Sequence, residues 1–134
     1  MKTYVLDASA LFIFLEKERA AEKVGELLKE AMRGHVEILM SSLNCAEVYG
    51  RILRERGQDQ AAATMSLVYP LPIRILDATL ERALRAAEVE SRFKLYFVDS
   101  FAAALALEHK ATLVTSDSDF RRVGSNVPVL WLKN

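Results

Sequence analysis

Short apolar runs carrying β-branched residues alternate along this chain with longer stretches of helical periodicity, and that alternation constrains the fold more than any other feature. The runs are Tyr4–Leu6, Val36–Met40, Ile73–Leu76 and Thr112–Thr115, with Val127–Trp131 closing the chain. Strands separated by helices of ten or more residues need crossover connections, which are right-handed and build a parallel sheet with helices on both faces. The expected architecture is therefore three-layer α/β/α around a mainly parallel sheet of four to five strands. At 134 residues, a single domain over 1–134 is expected, large enough to bury a core without disulfide staples.

Two helices, Ala20–Arg33 and Asp77–Phe93, mix apolar and charged residues at helical spacing, and their polar faces read as solvated. The stretch Asp99–Lys110 differs. Ala102, Ala103, Ala104 and Ala106 give it small side chains on several faces, so its backbone is expected to lie close to the sheet and bring Asp99 near the strand ends. Leu11-Phe-Ile-Phe-Leu15 is apolar all round, which leaves part of it for a partner surface. Tyr69-Pro-Leu-Pro72 ends the helix before it and feeds the third strand.

In a parallel α/β sheet, ligands bind beyond the carboxyl ends of the strands. Acidic residues fall at that edge: Asp7 follows the first strand, Asp117 follows the fourth, and Asp119 comes two residues later. Asp99 begins the alanine-rich helix, and Glu47 lies near the start of the helix after the second strand. Each has a plain structural alternative. Asp is a preferred N-cap and is favoured in a first helical turn. Asn44 and Glu47 have capping-box spacing, and Glu47 with Arg51 has the spacing of a surface ion pair. The sum weighs against those alternatives, because carboxylates gathered together repel and raise one another's pKa values until a cation joins them. Oxygen ligands without Cys or His clusters suit Mg²⁺ or Mn²⁺, whose chemistry on phosphates is phosphodiester hydrolysis by a metal-activated water. Ser9, Asn44, Ser116 and Ser118 are placed to orient carboxylates or water, with turns and caps as their alternatives.

Eighteen basic and eighteen acidic residues leave no overall positive field, so a nucleic-acid partner must be held locally. Arg51 is the candidate phosphate contact, with Arg54 and Arg56 on the same helix and Arg121-Arg122 after the last acids; a solvated face competes for each. His35 and His109 stand without a serine or cysteine constellation, and Met65, Tyr69 and Trp131 are expected in the core. Cys45 is the only cysteine, which excludes an internal disulfide and fits a reducing cytoplasm. The N-terminus has no signal-peptide pattern, and no run approaches the roughly 20 apolar residues of a membrane span.

Taken together, Val5-Leu-Asp-Ala-Ser9, Asn44-x-x-Glu47, Asp99-Ser-Phe-Ala-Ala103 and Leu113-Val-Thr-Ser-Asp-Ser-Asp-Phe120 resemble the PIN-domain ribonucleases, and within them the VapC toxins of toxin–antitoxin pairs. The likeness runs over essentially the whole chain; Ser100 departs from it, since many relatives carry alanine there. It implies a PIN-like fold and Asp7, Glu47, Asp99 and Asp117 as catalytic acids and metal ligands, with Asp119 as an accessory ligand. It also implies Mg²⁺ or Mn²⁺ dependence and endonucleolytic cleavage of RNA leaving a 5′-phosphate and a 3′-hydroxyl. The partners it implies are a second copy in a homodimer and a VapB-like antitoxin lying along the helices, for which Leu11–Leu15 and the helix around Glu47 are natural contacts. The competing readings are a PIN-like RNA-binding module that does not cut, a phosphoacceptor domain, which usually needs a lysine where Thr115 and Ser116 stand, and simple helix capping by all five acids.

Overall fold

The computed structural model describes residues 1–133. Its strands are β1 (Lys2–Leu6), β2 (Val36–Ser41), β3 (Arg74–Leu76), β4 (Thr112–Thr115) and β5 (Val129–Trp131), and its helices are α1 (Ala8–Leu15), α2 (Ala21–Met32), α3 (Ser42–Arg56), α4 (Gln58–Val68), α5 (Leu80–Phe93) and α6 (Phe97–His109). A 3-10 segment, Ser118–Asn126, links β4 to β5. The strands form one sheet in the order β3-β2-β1-β4-β5, and every pairing is parallel.

Alternation within the strands decides which helix covers which face, because neighbouring side chains point to opposite sides. Val5, Leu39 and Leu113 point to one side and pack with α5, α6 and the 3-10 segment, where Ala86, Phe93, Ala103 and Phe120 are buried. Tyr4, Leu6, Ile38, Met40 and Val114 point to the other and meet α1, α2, α3 and α4 through Leu11, Val24, Val48 and Val68. Two cores on one sheet make the three-layer α/β/α arrangement that the alternation of runs predicts.

The topology also fixes where a site can form. From β1 the chain winds outward through β2 to β3, then returns to place β4 on the other side of β1. The reversal between β1 and β4 opens a crevice at their carboxyl ends, and Asp7 and Asp117 follow those two strands. Parallel register sets Leu6 beside Val114, so Asp7 leaves the sheet next to Thr115.

Two expectations, on Asp99 and Tyr69, need correction, and both structural alternatives for Glu47 fall away. Asp99 does not begin its helix: α6 starts at Phe97, Tyr96 holds the cap position without a side-chain hydrogen bond, and Asp99 sits in the first turn. Nor is Asn44 a cap. Ser41 caps α3 by accepting from Leu43 N, which leaves Asn44 and Glu47 inside the helix rather than in a capping box. The Glu47–Arg51 pair is not formed, since Arg51 Nε donates to Glu55 Oε2 at 3.1 Å. Tyr69 is 78% exposed rather than core, because it follows the last residue of α4 and leads into a proline turn; Met65 and Trp131 do pack against the core. A break within the long helical run was also not anticipated: Gly57, at φ +88°, separates α3 from α4 in a conformation that side chains rarely adopt.

Small residues let α6 lie against the sheet, with Ala102 and Ala103 fully buried. Ala103→Leu is accordingly expected to lower unfolding stability by about 1–3 kcal/mol through overpacking, measured by urea denaturation; an unchanged midpoint would mean that α6 is not seated closely.

Candidate metal centre

Asp7 is the most enclosed of the acids. It caps α1 by accepting from Ala10 N at Oδ1, 2.9 Å away, and only 4% of the residue is exposed. Ser9 Oγ donates to the same oxygen at 2.7 Å, and Thr115 Oγ1 donates to Oδ2 from the neighbouring strand. Thr115 Oγ1 in turn accepts from Asp117 N at 2.9 Å, and Ser9 Oγ accepts from Ser116 N at 3.0 Å. The ends of β1 and β4 are thus tied together by hydroxyls lying between two acidic residues. Asp117 caps the 3-10 segment through Asp119 N, 2.9 Å from its Oδ1.

Capping therefore accounts locally for Asp7 and Asp117 but not for the whole group. Asp99, Asp117 and Asp119 each offer a carboxylate oxygen, and the three oxygens lie within 4.8 Å of one another. Asp7, Glu47, Asp99 and Asp117 line one cleft of about 200 Å³ together with Ser9, Phe12, Arg51 and Arg54. Glu47 reaches it from α3, and Asn44 ties α3 to α6 by donating from Nδ2 to Val98 O at 3.1 Å, directly before Asp99. All five predicted acids are consequently gathered at the crevice between β1 and β4.

Burial and mutual repulsion leave this group short of positive charge. Burial lifts the Asp7 carboxyl from 3.8 to about 6, against the pull of Thr115, Ser9 and Ala10. Asp99 is raised from 3.8 to about 7, first by burial and then by Asp117, Glu47, Asp7 and Asp119. Glu47 is also raised, mainly by burial, with Asn44 and Arg54 opposing. An oxygen-only donor set that resists ionisation on its own fits a hard divalent cation: burial, with repulsion between the acids added to it, raises these pKa values, and a cation opposes both.

Among the supporting residues, Ser9 donates to Asp7, and Asn44 links two helices. Ser116 contributes its backbone N–H to Ser9, and no hydrogen bond of its side chain is formed among the described residues; the residue before it, Thr115, holds Asp7 instead. The sequence signal for Thr115 is a polar β-branched residue ending a strand on the same face as Leu113, where the other inward positions are apolar. The 3.7 Å stack of Arg51 on the Phe12 ring was not foreseen either. Neither His35, paired with Glu30, nor His109, beside Glu108, lines the cleft.

Residues 4–126 match the family described as PIN domain. No curated protein sequence matches significantly. Among solved structures, the chain is similar to one from VapBC2 of Rickettsia felis bound to a promoter DNA fragment, at 18% identity and a TM-score of 0.77 over 98% of this chain and 99% of that one. DNA-bound VapBC from Salmonella typhimurium gives 14% identity and 0.76, over 99% of this chain and 100% of that one. VapC20 of Mycobacterium tuberculosis, described as a sarcin-ricin loop cleaving toxin, gives 17% and 0.71, over 90% and 95%. At these identities the likeness establishes the fold.

The pKa shifts predict how metal-free protein responds to pH. Asp7 and Asp99 ionise later when folded than when unfolded, so the unfolded state gains from ionisation first as pH climbs from about 4 toward 7. Metal-free protein should therefore melt lower at pH 7.5 than at pH 5, by about 5 °C if roughly 1 kcal/mol is lost. Glu30 and Glu108, whose pKa values are lowered, act in the opposite direction and below this window. Calorimetry of wild type and Asp99→Asn checks it: the variant should show a smaller fall, and an equal fall in both would refute the assignment. Thr115→Val, which deletes the hydroxyl between Asp7 and Asp117, should cost about 1–3 kcal/mol and cost more at pH 8 than at pH 5; urea midpoints at both pH values would show it.

Proposed function

Because this chain belongs to the PIN-domain family, we propose that it is a metal-dependent endoribonuclease, working as one domain over residues 1–134 and hydrolysing RNA phosphodiester bonds. The observation that carries this reading is Asp99, a half-buried carboxyl gathered at one cleft with Asp7, Glu47, Asp117 and Asp119 from three other segments, and raised to about 7 by burial and then by those four acids. Evolved proteins seldom keep such an arrangement for stability, since each acid costs more here than on an open surface.

In this reading Asp99, Asp117 and Asp119 hold the ion, with Glu47 and Asp7 completing the acidic wall. A bound Mg²⁺ or Mn²⁺ supplies neutralisation of phosphate charge and an acidified water. The chain's own residues do the rest. Thr115 and Ser9 hold both oxygens of Asp7 in a fixed orientation, favouring its ionised form. Asn44 holds the start of α6 against α3 and so keeps Asp99 and Glu47 facing one cleft. Arg51, fixed on Phe12, adds positive charge at the rim as a phosphate contact.

The biological role we propose is that of a VapC-like toxin in the cytoplasm, a homodimer silenced by a VapB-like antitoxin. Solved relatives described as VapBC complexes support this. The apolar, half-exposed Phe12, Phe14 and Leu15 of α1 suit a helical partner. Among the described residues, no helix is long and apolar enough to cross a membrane.

Antitoxin-free wild type should cleave RNA from a panel of total tRNA, rRNA and mixed-sequence single strands with Mg²⁺ or Mn²⁺. Asp7→Asn and Asp99→Asn should each lower the rate at least 100-fold, in line with loss of a metal-site or acid–base group. A wild type inert across that panel, or variants as active as wild type, would overturn the proposal.

A further inference from the structure

Glu47, Arg51 and Arg54 stand at i, i+4 and i+7 on α3, so they share one helical face, and all three line the acidic cleft. The arginines of this helix are not equivalent. Arg56 is ion-paired with Glu16. Arg51 lays its guanidinium over the Phe12 ring at 3.7 Å and donates to Glu55 Oε2 at 3.1 Å. Among the described residues Arg54 has no hydrogen bond and no ion pair, and its influence on Glu47 is electrostatic at longer range. Its side chain runs back toward the start of the helix: a Cβ added at Gly50 would meet Arg54 Nη1 at 3.4 Å. The uncommitted guanidinium of α3 thus lies along the face that carries Glu47.

A substrate phosphate entering this cleft meets four lining carboxylates on a chain with no net charge, so its binding depends on the two lining cations, Arg51 and Arg54. Arg51 has already given part of its hydrogen-bonding capacity to Glu55. Arg54 keeps its donors, and the planar guanidinium fork matches two phosphate oxygens. The Arg54 guanidinium reaches back to the level of Gly50, one turn from Glu47, about 5 Å along the helix. Among the described residues Arg54 forms no ion pair with Glu47, so its fork stands on the cleft wall outside the carboxylates, where it meets a phosphodiester beside the one they face.

We propose that Arg54 is the substrate-backbone subsite of this cleft, binding a phosphate next to the scissile one, while the Arg51–Phe12 stack fixes a second positive charge beside it. The inference rests on the nuclease reading above. It assigns Arg54 a binding role, so loss of Arg54 weakens substrate capture and leaves the chemical step intact.

The test uses the intact chain with Mn²⁺, on whichever RNA of the same panel wild type cuts fastest, with kcat and KM measured from low to high salt. Arg54→Ala is expected to raise KM about tenfold, the size of one charge-assisted contact, and to change kcat less than about twofold. The slope of log kcat/KM against log salt should become shallower by about 0.7, one phosphate contact on a single strand. Arg54→Lys should restore the slope but only part of KM, because a point charge replaces a fork. Arg33→Ala, which removes a charge beside Glu30 on the far end of α2, should leave both unchanged, and melting curves establish that all variants fold. Unchanged KM and slope in Arg54→Ala, or a fall in kcat alone, would overturn the subsite while leaving the nuclease standing. A wild type that cuts no RNA of the panel would overturn both.

Discussion

Carboxylates drawn together at one edge of a parallel sheet repel one another, and much of the local structure around the crevice between β1 and β4 opposes that repulsion. Hydroxyls of Ser9 and Thr115 donate to Asp7, backbone N–H groups reach Asp7 and Asp117, and Asn44 pins the helix that carries Asp99. These contacts are too few to restore ordinary acidity. Burial first, and repulsion after it, keeps Asp7 near 6 and Asp99 near 7. The site is held in shape by neutral donors and left electrostatically open for a cation.

The fold supplies the geometry cheaply. One reversal of winding, between β1 and β4, makes the crevice, and the two acids that follow those strands need only cap the next helical turn to be placed there. Capping is therefore compatible with the ion-holding role proposed for Asp117 and with a place for Asp7 in the acidic wall. Asp99 is different, since it caps nothing and enters the cleft because an alanine-rich helix lies close against the sheet.

Period-two and period-3.6 patterns made the layers and strand positions legible from the sequence, and Thr112–Thr115 matches its strand end to end. Carboxylates after strand ends made the acidic edge legible for the same reason: local chain order alone determines which residues lie at the carboxyl side of a parallel strand. What escaped depends on tertiary contacts. Thr115 holding Asp7 spans 108 residues, Asn44 holding Val98 spans 54, and nothing in local spacing points to either. Helix starts were also misplaced, because Ser41 rather than Asn44 caps α3 and Tyr96 precedes α6 without a capping side chain. The arginines of α3 looked alike in sequence, and only their partners separate Arg54 from Arg51 and Arg56.

The nuclease reading stands on a divalent cation completing this acidic cluster. Titration of Mn²⁺ into metal-free protein near pH 6.5, by calorimetry in two buffers of different ionisation enthalpy, tests it most directly, because carboxyls still partly protonated must release protons when the ion binds. Saturable binding is expected, with proton release that shrinks by pH 8 and is reduced in Asp99→Asn. Absence of binding, or binding that releases no protons at pH 6.5 and is indifferent to Asp99, would contradict it.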